Sequence, residues 1–351
     1  MNLMKKLLGL MLALTMTVSL AACGAKEEAP AAPEAPQQAA PAAPGSSGPS
    51  KPVEVPAEEP VTLRVAAMTG PTGMGLAKLL KEADEEKYSL MLAGTADEIS
   101  PLLIKGELDA ACVPANLASV LYNKTEGEIV TLGINTFGVL YVVDKGDSVQ
   151  TIADLKGKTI VSAGKGSVPE YGLRYVLSQN GIDPDKDLTI EWKSEQAECV
   201  AALASGAADI AMMPQPYVTV AQGKIEGLRI AVDLAEEWSK LENGSAMLTG
   251  VVVARKSFVE EHPAAVETFM KDYAASVGWV NANVAEAAEV IGEHGIVAAA
   301  VAEKAIPYCN IVCVTGEEMA EKLSGYLSVL HEANPQSVGG KLPADDFYYL
   351  G

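Results

Sequence analysis

Two side-chain amides stand just past a proline that the chain uses twice. Asn116 follows Pro114, and Gln215 follows Pro214. An amide donates and accepts hydrogen bonds at once, so a facing pair could read a polar solute without bringing charge to it. Other groups of the same kind cluster in four short stretches, 68–74, 114–116, 164–171 and 214–217. Thr69, Thr72 and Ser167 offer hydroxyls, with Gly70 and Met74 in the same loop as the threonines. Glu170 offers an acceptor, and Tyr171 and Tyr217 offer rings for stacking. Three of these have a second duty open to them. Thr69 and Ser167 suit helix caps, and Glu170 stands four residues before Arg174, the spacing of a helical ion pair. The chemistry on offer is binding rather than catalysis. No nucleophile sits beside a base, no carboxylates are paired, and His262, His294 and His331 are scattered. Neither a metal nor a cofactor is expected.

Lys165 is the only cation in the four stretches, and no arginine or histidine occurs there. A strong anion usually recruits a bidentate arginine. The residues therefore favour a neutral, heterocyclic or zwitterionic solute. Helix N-terminal amides could still hold a sulfonate or carboxylate unaided.

The elements that must position these groups come in two matching sets. Residues 106–116 read "GELDAACVPAN" and 206–216 read "GAADIAMMPQP". Gly, Asp, Ala and Pro coincide at an offset of 100, each time after an apolar helical stretch. The echo is the end of a longer repeat. "VTLRVAA" at 61–67 and "GKTIVSA" at 157–163 are strands ending in Gly-rich loops, and each leads to a helix, a strand, a second helix and a third strand. Gly75-Leu76 corresponds to Gly172-Leu173. Two βαβαβ units predict two largely parallel sheets, with ligands beyond the carboxyl ends of the strands. Strands at 128–134 and 136–146 should link the units, with chain crossings near 143–147 and 244–248. Beyond 257 the pattern is mostly helical. Ser257 with Glu260 and Thr315 with Glu318 read as capping boxes, and Pro263 suits a first helical turn.

Before the repeat come 60 residues of another character. Lys5 and Lys6 precede a mostly apolar stretch, Leu7 to Leu20, that is short for a membrane span. "LAAC" follows and ends at Cys23. This is expected to be a signal peptide over 1–22 with Cys23 as the lipidated N-terminus. Residues 24–60 hold nine of the chain's 20 prolines. Their composition cannot bury enough surface to fold, so 23–60 is expected to be a tether. Losing Lys5 and Lys6 with the leader would take the formal charge from −20 to near −22. Such acidity excludes nucleic acid as a partner. Cys112 and Cys199 lie in apolar runs and suit a core. Cys309 and Cys313 lie in a segment that looks extended, which argues against a disulfide. The "GKT" at 157–159 has Ile152 where a P-loop needs glycine, and it leads into a strand. "GPTGMG" has its glycines in the wrong order for a dinucleotide fingerprint.

The lipobox and Pro-rich tether, "SVQTIADLKGKTIVSAGKGS" (148–167), "ALASGAADIAMMPQP" and "LTGVVVARKSFVEEHPAAVETFMKDY" (248–273) together resemble the solute-binding lipoproteins of ABC importers. The resemblance covers 61 to about 335 and points to the nitrate, sulfonate, taurine and thiamine-precursor group. It implies a type II periplasmic-binding fold: two α/β lobes, a central ligand cleft and two hinge crossings. Lobe 1 would be 61–145 with 246–351, and lobe 2 would be 146–245. The implied function is capture of a small organic solute by lobe closure and its delivery to a permease and ATPase. The protein would be a monomer, lipid-anchored on the extracytoplasmic face of the cell membrane. Ligand contacts are expected from Thr69, Gly70, Thr72, Met74, Asn116, Ser167, Glu170, Tyr171 and Gln215. Enzymes of pyrimidine or menaquinone-precursor synthesis share this fold and form the alternative, together with a receptor that only signals. A pyrimidine synthase would want a histidine in a cleft loop, where this chain has none.

Overall fold

Gly106 and Gly206 end their helices in the same way. Both adopt the left-handed conformation, φ 76° and 74°, and both N–H groups close on the last helical carbonyls. Glycine takes this conformation without the Cβ penalty, so the helix stops and the chain turns into a buried strand. The two copies of the repeat are thus one structural device used twice. The computed structural model describes residues 61–82 and 84–351. The leader, Cys23 and the Pro-rich segment lie outside the described residues.

The first unit runs β1 (Leu63–Met68), α1 (Pro71–Met74), α2 (Ala77–Glu82), β2 (Tyr88–Ala93), α3 (Ala96–Lys105), β3 (Ala110–Pro114), α4 (Ala115–Lys124) and β4 (Ile129–Phe137). The second runs β5 (Leu140–Asp144), β6 (Thr159–Ala163), α5 (Val168–Gln179), β7 (Thr189–Lys193), α6 (Gln196–Ser205), β8 (Ile210–Pro214), α7 (Tyr217–Gln222), β9 (Arg229–Asp233) and α8 (Leu234–Ser239). The chain then returns through β10 (Leu248–Arg255), α9 (Lys256–Glu261), α10 (Pro263–Ala282), α11 (Val284–Glu293), α12 (Ala299–Ala305), β11 (Ile311–Val314) and α13 (Gly316–Ala333).

Two mixed α/β sheets result, ordered β11-β4-β10-β3-β1-β2 and β7-β6-β8-β5-β9. Within each βαβαβ repeat the pairing is parallel, β1 with β2 and β3, and β6 with β7 and β8. The expectation of largely parallel sheets misses the strands that come from the crossings. β10 runs antiparallel between β3 and β4, and β5 runs antiparallel between β8 and β9. Each sheet therefore receives one central strand from chain that has just crossed between lobes. β5 belongs wholly to the second sheet, so the chain leaves the first at Gly138–Val139, ahead of the 143–147 expected. The second crossing lies between β9 and β10. The two run side by side, and the Gly138 N–H donates to the Met247 carbonyl at 2.7 Å.

β3, β4, β5 and β8 are buried on both faces, as in sheets covered on both sides; β3 and β8 are near-continuous apolar runs, while β4 also buries Thr131, Asn135 and Thr136. One core packs the first sheet against α2, α10, α11 and α12, and another packs the second sheet against α6 and α7. A third is shared by the two lobes. In it Leu323, Tyr326 and Leu327 of α13 join Leu173 and Leu177 of α5 and Trp238 of α8. α13 also packs on α4 and β4, so it touches both lobes. Each fully buried Leu or Val in such a core contributes roughly 1.5–3 kcal/mol.

The caps differ from the reading of the sequence. Ser257 lies inside α9, and Thr315 caps α13 without a side-chain bond. The capping boxes that form are Thr95 with Glu98 and Thr151 with Asp154. Pro263 opens α10 as expected. Burial pushes the Cys112 thiol up to about 12 and the Cys199 thiol up to about 11, which makes both protonated core residues. Cys309 and Cys313 are also free thiols, and Cys313 lies on β11.

Candidate ligand-binding site

β1, β3, β6 and β8 all end where the four loops of interest begin. α1, α4, α5 and α7 start within or just beyond them. Parallel strands put every carboxyl end on one side of a sheet, so in each lobe both loops must converge. They meet at a cavity of about 280 Å³, at the small end of the roughly 300–1,000 Å³ usual for ligand pockets. The first lobe contributes Met68, Thr69, Pro71, Thr72 and Pro114–Asn116. The second contributes Val168, Pro169 and Pro214. The repeated prolines, Pro114 and Pro214, both face this space.

The remaining wall comes from the crossings, Gly138–Leu140 and Met247–Thr249, and from Tyr326 on α13. Gly138 is required by closeness. A Cβ there would lie 2.6 Å from Met247 Cγ and 2.8 Å from its Sδ. Sequence reading missed these residues. The crossings could have been suspected, since a hinge borders its cleft, but a tyrosine in mid-helix carries no such signal.

Polar residues are few: Thr69, Thr72, Thr249, Asn116 and Tyr326, whose hydroxyl is itself buried. No lining side chain is charged. α4 and α5 point their first turns at the cavity from opposite lobes, and neither has a side-chain cap. Each such N-terminus carries about half a positive charge. The site can therefore accept hydrogen-bonding groups, but it has no side-chain cation to neutralise an anion.

The residues named from sequence fall into two groups. Thr69, Thr72 and Asn116 line the cavity, with Asn116 Nδ2 also donating to the Ser337 carbonyl at 3.1 Å. The other six do not line it. Gly70 forms the turn into α1. Met74 is wholly buried in the core beneath the first sheet. Ser167 Oγ donates to the Gly164 carbonyl at 2.6 Å. Glu170 takes the ion pair its spacing allowed, accepting from Arg174 Nε at 2.8 Å and from the Gly166 N–H at 2.6 Å. The Tyr171 hydroxyl donates to the Gly166 carbonyl and accepts from Asn334 Nδ2. Gln215 is turned under α7, where its Oε1 accepts from the Thr219 hydroxyl at 2.9 Å and backbone N–H at 3.3 Å. Ser167, Glu170 and Gln215 take partners within about one helical turn, while Tyr171 takes one five residues back and another on the distant Asn334.

A family model described as "ABC transporter, phosphonate, periplasmic substrate-binding protein" matches residues 75–304. The chain belongs to this family of periplasmic substrate-binding proteins. The family is one of binding components, which sets aside the enzyme alternative. Among curated proteins, this binding protein is 27% identical over 126 residues to the putative binding protein YtlA of Bacillus subtilis. That match spans 36% of this chain and 36% of YtlA. Among solved structures it is similar to an ABC transporter protein from Parabacteroides distasonis, at 24% identity and a TM-score of 0.69, covering 82% of this chain and 99% of that one. It is also similar to the aliphatic sulphonate binding protein SsuA of Escherichia coli, at 19% identity and a TM-score of 0.66, covering 83% and 92%. At these identities the likeness concerns the fold, which is the type II periplasmic-binding fold. Among the described residues no helix is long and apolar enough to cross a membrane.

Proposed function

We propose that this protein is the solute-capturing component of an ABC importer, and that its solute is a small, uncharged, ring-containing molecule. The observation that carries this reading is the wall of the cavity. It is drawn from both lobes and both crossings, and it holds hydroxyls and an amide but no charged side chain. Solute touching both lobes favours their closed arrangement by its differential contacts, and permease subunits can recognise that arrangement. Thr69, Thr72, Asn116 and Thr249 are the side chains placed to orient it. Within the nitrate, sulfonate, taurine and thiamine-precursor group, this favours the heterocyclic members. Burying an anion without a cation costs several kcal/mol in such surroundings.

One observation favours a second reading. The uncapped N-termini of α4 and α5 could together hold a sulfonate or phosphonate. Calorimetric titration with uracil and cytosine against taurine, ethanesulfonate and methylphosphonate separates the two. Micromolar binding of a pyrimidine is expected. Tight binding of an anion with no response to either pyrimidine would replace the first reading by the second.

The wider setting is part of the same proposal. Cys23 is lipidated, the domain is held on the extracytoplasmic face of the membrane as a monomer, and it delivers solute to a permease and ATPase.

A further inference from the structure

Asn116, Ser119 and Asn123 stand at i, i+3 and i+7 on α4, so they share one face of the helix. All three donate to backbone carbonyls of one C-terminal segment. Asn116 Nδ2 bonds the Ser337 carbonyl at 3.1 Å, and Ser119 Oγ bonds the Val338 carbonyl at 2.7 Å. Asn123 Nδ2 bonds the Val338 and Lys341 carbonyls at 2.9 and 2.7 Å. Ser337 and Val338 end a 3₁₀ turn, Pro335–Val338, which Asn334 caps by accepting from the Gln336 N–H at 3.1 Å. Gly339 follows at φ 88°, and a Cβ there would lie 3.0 Å from Val120 Cα, so the turn lies flush on α4. The start of the same turn reaches the second lobe. Asn334 Nδ2 donates to the Tyr171 hydroxyl at 2.8 Å, and that hydroxyl donates to the Gly166 carbonyl at 2.7 Å. Asn116 is the second residue of α4 and Tyr171 the fourth of α5. These are the two helices whose N-termini face the cavity from opposite lobes. Both starts are bonded to one short piece of chain, 334–338.

We propose that Asn334 and Tyr171 are positioning residues for solute capture: the turn they join is a brace that holds the starts of α4 and α5 at the spacing in which solute is gripped. This rests on the capture between lobes proposed above and gives the C-terminal segment a part in it. Neither side chain lines the cavity, so neither touches solute. The partners of the Asn334–Tyr171 bond move with different lobes, so the bond adds stability only to the closed arrangement. α13 also touches both lobes, but through apolar packing, which is non-directional. An amide–hydroxyl bond holds over a narrow range of distance and angle, so it fixes the spacing. Because it stands outside the cavity, it strengthens every solute by one factor and selects none.

The test uses the full chain as wild type, Tyr171→Phe, Asn334→Ser and the double variant. Phenylalanine removes only the hydroxyl, and serine keeps an oxygen to cap the turn while losing the amide donor. The probes are uracil, cytosine, taurine, ethanesulfonate and methylphosphonate. Each single variant should bind any probe that wild type binds about fivefold more weakly, by the same factor for every such probe. The double variant should lose no more than either single one, since both break one bond. Without solute, hydrogen exchange should quicken in 164–171 of one lobe and also in 114–119 and 335–341 of the other. Unchanged affinity overturns the inference. Faster exchange confined to 164–171 overturns it too, by showing that the hydroxyl serves only its own loop. Weaker binding of one probe with another unaffected also overturns it, since that marks direct contact with solute. If no probe binds wild type, the solute proposed above falls, and the exchange pattern alone decides the brace: spread to both lobes upholds it and confinement to one overturns it.

Discussion

Asp109 and Asp209 stand at the same place in the repeat and have different fates. The backbone role is shared. The Asp109 carbonyl accepts from the Arg255 N–H and the Asp209 carbonyl from the Lys145 N–H, both at 2.9 Å. The side-chain role is not shared. Asp109 is buried and takes a bidentate fork from Arg64 at 2.8 and 2.6 Å, with Arg255 Nη2 at 3.1 Å. Asp209 is exposed. The second lobe builds its buried acid–arginine pair elsewhere, from Asp144 and Arg229 at 3.0 Å. Burial on its own would raise the Asp109 pKa, but the bonds from Arg64 and Arg255 outweigh it and hold the carboxyl below its usual range. Its stabilisation is then complete above the unfolded value of about 3.9 and is withdrawn as pH falls through the lower folded value. Asp109→Asn should cost roughly 2–4 kcal/mol at pH 7, with a smaller difference from wild type near pH 3. Asp209→Asn should stay within about 0.5 kcal/mol. Urea midpoints at the two pH values measure both, and equal effects of the two substitutions would refute the distinction.

Glycines at the element scale do two separable jobs. Gly206 supplies a left-handed cap, and a Cβ there would meet nothing within 4 Å. Gly206→Ala should therefore cost only about 1 kcal/mol of backbone strain and leave binding alone. Gly138 gives the first crossing room to lie against Met247 of the second. Gly138→Ala must push that side chain, costing roughly 1–3 kcal/mol, and it must also reshape the cavity. Denaturation and calorimetry on the pair should show stability loss in both and affinity loss only in Gly138→Ala.

The whole molecule couples a two-lobed domain to a leader whose cysteine is read as a lipid anchor. The chain carries a formal charge of −20, so charge gives it no attraction to an anionic bilayer. No described helix spans a membrane. In the function proposed above, anchoring rests on Cys23. Cys23→Ala should move the protein from the membrane fraction to the soluble fraction, with the domain's melting temperature unchanged. Retention of the variant on the membrane would exclude the lipid anchor.

The sequence by itself determined what is local. Helix ends at Gly106 and Gly206, the Pro114 and Pro214 strand ends and the doubled unit follow from turn chemistry and side-chain period, both written within a few residues. From these the convergence of four loops was legible, and Thr69, Thr72 and Asn116 with it. Tertiary structure decided the rest. An apolar strand such as β5 fits either sheet by pattern, and only its pairing with β8 and β9 assigns it. Glu170, Tyr171 and Gln215 had the right chemistry but found nearer partners, a competition that composition does not reveal. Tyr326 lies 112 residues from the nearest repeat proline and reaches the cavity only because α13 folds back across both lobes. Contacts at that sequence separation leave no period or spacing in the chain, so packing alone selects them.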